Sequence, residues 1–135
     1  MKIDVIKLKE NLADDFEESL EPGGFDAGTE DVKYKGNIVI STEVRKENNI
    51  LFTKTRFCAA AEYKCSRCLK EYTRTIEKDF KKEYPLDKTE QFVDITQDIR
   101  EEVILDYPVK FLCKPDCRGL CPKCGKDLND GECSC

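Results

Sequence analysis

The sequence has no histidine, no tryptophan and a single methionine among its 135 residues. Without an imidazole there is no Ser–His or Cys–His hydrolytic pair, because nothing can take the proton from the nucleophile. Mixed Cys/His zinc fingers and histidine-ligated catalytic zinc sites are excluded for the same reason. Long apolar runs are also missing. No stretch approaches the roughly 18 apolar residues of a membrane helix. The first residues, Met1-Lys2-Ile3-Asp4-Val5-Ile6, lack the apolar centre of an export signal. A glycine-rich phosphate loop is absent as well. Together these absences lead us to expect a cytoplasmic protein without enzymatic activity, with no membrane contact and no small-molecule substrate.

What the chain has in quantity is cysteine, nine in all. Eight fall into close pairs: Cys65/Cys68, Cys113/Cys117, Cys121/Cys124 and Cys133/Cys135. Four pairs supply two tetrahedral thiolate sites, each built from two short-range pairs. In a reducing compartment such clusters hold metal more often than they form disulfides. Cys121-Pro122-Lys123-Cys124-Gly125 has the form of a zinc knuckle. Its proline pre-sets the turn, and its glycine can take a positive φ that turns backbone N–H groups toward sulfur. This form favours zinc over an iron–sulfur cluster, and two Zn²⁺ ions are expected.

Two partitions of the ligands can be drawn, and loop-closure entropy favours the first. Cys121/Cys124 with Cys133/Cys135 closes a short local loop, which costs little entropy. Cys65/Cys68 would then share a metal with Cys113/Cys117 across 44 intervening residues. The competing partition joins Cys113, Cys117, Cys121 and Cys124, leaving Cys65/Cys68 with Cys133/Cys135. The ninth cysteine, Cys58, reads as a small buried hydrophobe.

Charge is unevenly spread. Residues 1–31 hold 3 basic and 10 acidic residues, residues 32–88 hold 14 and 8, and residues 89–135 hold 6 and 10. The net charge of −5 argues against bulk nucleic-acid binding, but the basic middle leaves room for a local patch. Lys54, Arg56, Lys64, Arg67, Lys70 and Arg74 surround the first cysteine pair and are candidate RNA contacts. Tyr63 and Tyr72 are candidates for stacking on bases.

Residues 2–8 read as a short strand, and 9–31 as an acidic surface loop. Within that loop Asp14 to Leu20 could form helical turns stopped by Pro22-Gly23-Gly24. Val32, Tyr34, Ile38, Ile40, Thr42 and Val44 alternate as one strand face. After the turn signal Glu47-Asn48-Asn49, the residues Leu51, Thr53, Thr55, Phe57, Ala59, Ala61 and Tyr63 alternate in a second strand. Tyr72, Ile76, Phe80 and Tyr84, spaced by four, would also suit a helix, but Thr73, Thr75 and Ile76 favour a third strand from about Glu71 to Tyr84, which places Cys65–Cys68 at a strand connection. A helix then opens at Asp94, with Gln97 as capping-box partner. Ile95, Ile99 and Val103 line its buried face, and Tyr107-Pro108 ends it. The expected class is α+β: a mainly antiparallel sheet, one packed helix and a zinc-knuckle tail. Residues 1–112 form the core domain with the acidic loop 9–31, and residues 113–135 form a cysteine-rich tail docked on it.

The elements Cys65-Ser66-Arg67-Cys68-Leu69, Leu112-Cys113, Cys117-Arg118-Gly119-Leu120-Cys121-Pro122-Lys123-Cys124-Gly125, Leu128-Asn129 and Cys133-Ser134-Cys135 resemble the YceD family of bacterial and plastid proteins. The order of sheet, knuckle, acidic helix and cysteine-rich tail fits along nearly the whole chain. The resemblance implies a factor in the accumulation of large-subunit ribosomal RNA. Its partners would be that RNA, a ribosomal protein or a precursor particle. A redox-sensitive zinc switch, or a protein-interaction module that binds no RNA, is the alternative.

Overall fold

The computed structural model of the chain describes residues 1–25, 28, 31–108 and 110–133. Among the described residues six strands and one α-helix follow in order: β1 (Lys2–Asp4), β2 (Ala13–Leu20), β3 (Val32–Glu47), β4 (Ile50–Lys64), β5 (Glu71–Pro85), β6 (Phe92–Asp94) and α1 (Thr96–Leu105). Strands β2-β3-β4-β5 form an antiparallel sheet in that order, and β1 pairs with β6 in a separate ribbon. The α+β class with one helix is thus observed.

The predicted alternation in β3 and β4 sets the core. Val32, Tyr34, Ile38, Ile40, Thr42 and Val44 are buried, as are Leu51, Thr53, Thr55, Phe57, Ala59, Ala61 and Tyr63. Register jumps from Lys35↔Ala60 to Val39↔Cys58, so β3 holds two extra residues there, around Gly36 at φ 70°. Strand side chains have a period of two, so a two-residue insertion leaves the inward face unchanged. Ile95, Ile99 and Val103 of the helix segment close over the same face. The turn between β3 and β4 carries Asn48 and Asn49 at φ 49° and 62°, the left-handed pair that tight hairpins require.

Several expectations are corrected. Ala13–Leu20 is an edge strand, neither loop nor helical turns. Its alternation places Phe16 and Leu20 opposite the core-facing Thr42 and Ile38, while Asp15 and Glu17 face outward beside Glu43 and Ser41. The acidic segment also reaches the core, since Phe25 is 2% exposed and packs against Phe57 at 5.2 Å between ring centroids. The first strand stops at Asp4, because its partner β6 is only three residues long. Asp94 does not cap the helix. Ile95 holds the cap position, Asp94 Oδ1 accepts from the Thr96 N–H at 3.0 Å, and Gln97 bonds to Glu101 and Arg100. The helix ends at Leu105, two residues before the predicted stop.

Candidate metal centre

The β4–β5 connection is a turn of the knuckle type. The Leu69 N–H donates to the Cys65 carbonyl at 3.0 Å, and the Cys65 N–H donates to the Lys70 carbonyl at 2.8 Å. The tail turn repeats the pattern. The Gly125 N–H donates to the Cys121 carbonyl at 2.9 Å, and the Cys121 N–H to the Lys126 carbonyl at 2.8 Å. Each turn curls its backbone around a pair of sulfurs.

Segment 111–117 is bound to the first turn by polar contacts. The Ser66 N–H and Oγ–H both donate to the Phe111 carbonyl, at 2.7 and 3.1 Å. Arg67 Nη1 donates to the Cys117 carbonyl at 2.8 Å, and Arg74 Nη2 to the Cys113 carbonyl at 3.3 Å. These contacts bring four thiols together. Cys65, Cys68, Cys113 and Cys117 have their Sγ atoms within 4.8 Å of one another. Cys65···Cys117 and Cys68···Cys113 are each 3.6 Å apart. A tetrahedron with metal–sulfur bonds of about 2.3 Å has edges of about 3.8 Å. The cluster therefore has the size that a tetrathiolate metal needs, and all four sulfurs lie well beyond disulfide distance.

The electrostatics fit the same use. Burial pushes the Cys65 thiol up, but N–H groups of Cys68, Cys113 and Arg67 outweigh it and bring it down to about 6. Cys117 is lowered chiefly by the Asn129 side chain. Cys113 is pushed up to about 12, first by burial and then by the neighbouring thiols, because adjacent anions cannot all form without a cation between them.

In the tail, Cys121, Cys124 and Cys133 form a second cluster with Sγ atoms within 4.8 Å, and Cys124···Cys133 is 3.1 Å. Backbone N–H groups of Cys124 and Lys123 bring Cys121 down to about 6. Cys135 lies outside the described residues.

Other expected site residues are placed differently. Cys58 sits on the outward face of β4 between the buried Phe57 and Ala59, so it is not a core residue. The six basic candidates do not share one patch. Lys54, Arg56 and Lys64 face outward on β4, with Lys54 and Lys64 about 33 Å apart along the strand. Arg74 pairs opposite the inward Ala61 and lies over the Tyr72 ring, on the other side of the sheet. Arg56 is held by Asp79 at 2.9 Å, Lys70 by Asp127 at 2.7 Å, and Arg67 by the Cys117 carbonyl. Tyr63 is buried and stacked between Tyr72 and Phe111, at 5.4 and 5.2 Å, so its ring faces are already covered. The sequence reading missed Asn129 and Asp127 as parts of the centre. The Asp127-x-Asn129 spacing, suited to a side-chain-capped turn, was the available signal.

Comparison with known proteins places the tail. A family model described as "Large ribosomal RNA subunit accumulation protein YceD" matches residues 83–135. Through this segment the chain is similar to the YceD family. The matched segment holds α1 and the cysteines from Cys113 onward, and it is shorter than the whole-chain likeness expected from the motifs. The chain is similar to the chloroplastic "Large ribosomal RNA subunit accumulation protein YCED homolog 1" of Arabidopsis thaliana, 40% identical over 43 residues, which are 32% of this chain and 13% of that protein. The homolog 1 of Zea mays is 32% identical over 69 residues, 50% of this chain and 23% of that protein. An uncharacterized protein of Mycobacterium tuberculosis H37Rv is 44% identical over 39 residues, 29% of this chain and 19% of that protein. The chain therefore spans 13–23% of the length of these curated relatives. No solved structure matches it.

Proposed function

We propose that this chain is a non-catalytic, zinc-binding factor in the accumulation of large-subunit ribosomal RNA. The process is taken from the names of the plant relatives. The observation that carries the zinc reading is the quartet Cys65, Cys68, Cys113 and Cys117, three of them buried and Cys113 half-buried, whose spacing suits a tetrathiolate ion. Four thiolates saturate a tetrahedral ion and leave no position for a reacting water, so the role assigned to the metal is structural. Cys121, Cys124, Cys133 and Cys135 are assigned to a second ion. Residues 113–135 are read as a tail fastened to the 1–112 core by the first site.

Between the two partner classes, we favour a protein of the large-subunit particle over naked RNA. Each zinc tetrathiolate would keep a charge of about −2, which adds to a chain already at −5. The basic residues that could offset this are divided between two faces, and two of them, Arg56 and Lys70, are tied to carboxylates. Lys54, Arg56, Lys64, Arg67, Lys70 and Arg74 stand as the RNA-contact set to be tested against this reading. The expected compartment is one in which ribosomes are built, and the plant relatives are designated chloroplastic.

Metal analysis of the reduced, purified chain is expected to return two zinc ions. Binding to purified large-subunit particles and to protein-free large-subunit RNA, each across a salt series, separates the partners. Retention on particles without salt-dependent retention on RNA supports the protein reading. Zero metal overturns the zinc reading, and equal binding to protein-free RNA overturns the preference for protein.

A further inference from the structure

The loop 127–130 lies between ligands of the second cluster, yet its polar groups act on the first. Asn129 Nδ2 donates to Cys117 Sγ at 3.4 Å. Asn129 is held by three further hydrogen bonds, two of them to its carboxamide. Asp127 Oδ1 accepts from both the Asn129 N–H and Nδ2, each at 2.9 Å, and the Arg118 N–H donates to Asn129 Oδ1 at 3.0 Å. The Leu128 N–H donates to the Gly119 carbonyl at 2.9 Å. Lys70, two residues beyond Cys68, pairs with Asp127 at 2.7 Å and with Asp130 at 3.6 Å. The loop is entered from Cys121/Cys124 and leaves toward Cys133, so the chain that closes the second cluster is the chain that presents Asn129 to the first.

We propose that Asn129 is a positioning residue of the first cluster and that the two clusters are coupled. Metal at the second cluster would fix residues 127–130 and so tighten metal at the first. This rests on the metal-binding reading above. The physical basis is the outer shell of a metal site. An N–H···S bond withdraws charge from the thiolate and fixes its direction, and removing such a partner costs 10–100-fold in metal affinity. Reciprocity follows, since a coupling free energy acts equally in both directions. The two clusters differ in access: the first has three buried cysteines and the half-buried Cys113, whereas the second has the buried Cys121, the half-buried Cys133 and the exposed Cys124. Exchange with solvent thus begins at the second cluster, and its loss loosens the first.

The test uses cobalt(II) as probe on the full chain in reducing buffer, following thiolate-to-cobalt absorption under chelator competition. C65S/C68S and C124S/C133S assign the bands to the two clusters. The expected result for the intact chain is two tetrathiolate cobalt ions. In C124S/C133S the first cluster weakens by about tenfold or more. N129A weakens the first cluster similarly, removes the tightening that metal at the first gives the second, and moves the first cluster's charge-transfer band to longer wavelength. A thiolate without its N–H donor gives up charge more readily, and a purely structural defect would not move that band. N129A removes no thiol, so it decides the matter if the double variant does not fold. Unchanged first-cluster affinity and an unmoved band in N129A overturn the coupling, while two bound cobalt ions keep the metal reading. A chain that binds no cobalt overturns both.

Discussion

Leu69 occupies in the first knuckle the backbone position that Gly125 occupies in the second. Their φ angles are 61° and 74°, and each N–H donates four residues back, to Cys65 and to Cys121. Only one of the two is a glycine. A side chain in the left-handed region costs about 1–2 kcal/mol. Leu69 recovers little of that by burial, since it is 53% exposed.

Leu69→Gly is therefore expected to raise stability by about 0.5–1 kcal/mol, part of the relief being offset by the added freedom of glycine in the unfolded chain. Gly125→Leu is expected to lower stability by about 1 kcal/mol or more. Denaturant midpoints of the two variants against the parent chain check both signs.

The core centres on Phe57, which is fully buried and packs against Phe25 and Tyr34 at 5.2 and 6.2 Å between centroids. Phe57→Ala should cost about 3–5 kcal/mol, combining lost transfer energy with the cavity left behind. The neighbouring outward Cys58→Ala should change stability by less than about 0.5 kcal/mol. Equilibrium unfolding of the pair tests whether the face assignment of β4 is right.

All five tyrosines have raised pKa values, in each case first because of burial. Tyr63 is pushed up to about 12, and Tyr84 is raised further by its bond to Asp98. A raised tyrosine favours the neutral form in the fold. Its contribution is complete below the ordinary value near 10 and is lost as pH rises through the folded value. Stability should accordingly decline above about pH 10, with tyrosinate absorbance rising together with loss of the sheet signal. Independent ionisation of most tyrosines near pH 10 in an intact fold would contradict this. Tyr84→Phe should make the alkaline decline shallower.

Removal of metal by a chelator is expected to act regionally. Amide protection should fall at Cys65–Lys70 and across 111–117, which depend on the Ser66–Phe111, Arg67–Cys117 and Arg74–Cys113 contacts. The β3–β4 amides should stay protected, because their core draws on no cysteine of either cluster. Hydrogen exchange of the loaded and stripped chains provides the comparison, and uniform loss of protection would show that metal holds the whole fold.

The period-2 patterns of β3 and β4 were legible because side chains on a strand alternate faces whatever the neighbours are; β5 was legible only through its strand-favouring Thr73, Thr75 and Ile76. Ala13–Leu20 was not legible as a strand. Asp14, Asp15, Glu17 and Glu18 disfavour strand locally, and only pairing with Asp14↔Val44 through Leu20↔Ile38 overrides that preference. The capping box at Asp94 failed for a related reason. The β1–β6 ribbon takes Asp94 into a strand, and the helix starts two residues later.

The sequence alone determined that sulfur, and not imidazole, would build any metal site here, and that the sulfurs come in turn-sized pairs. Residue type and local spacing are one-dimensional facts, and the two knuckle turns need nothing else. The tertiary structure decided which pairs meet. Cys65/Cys68 lies 44 residues from Cys113/Cys117, and contacts of Ser66, Arg67 and Arg74 with segment 111–117 bring them together. It also decided that Lys54 and Arg74 belong to opposite faces, and that Asn129 reaches Cys117. Such meetings depend on sheet register and on the path of the returning chain, which local propensity does not encode.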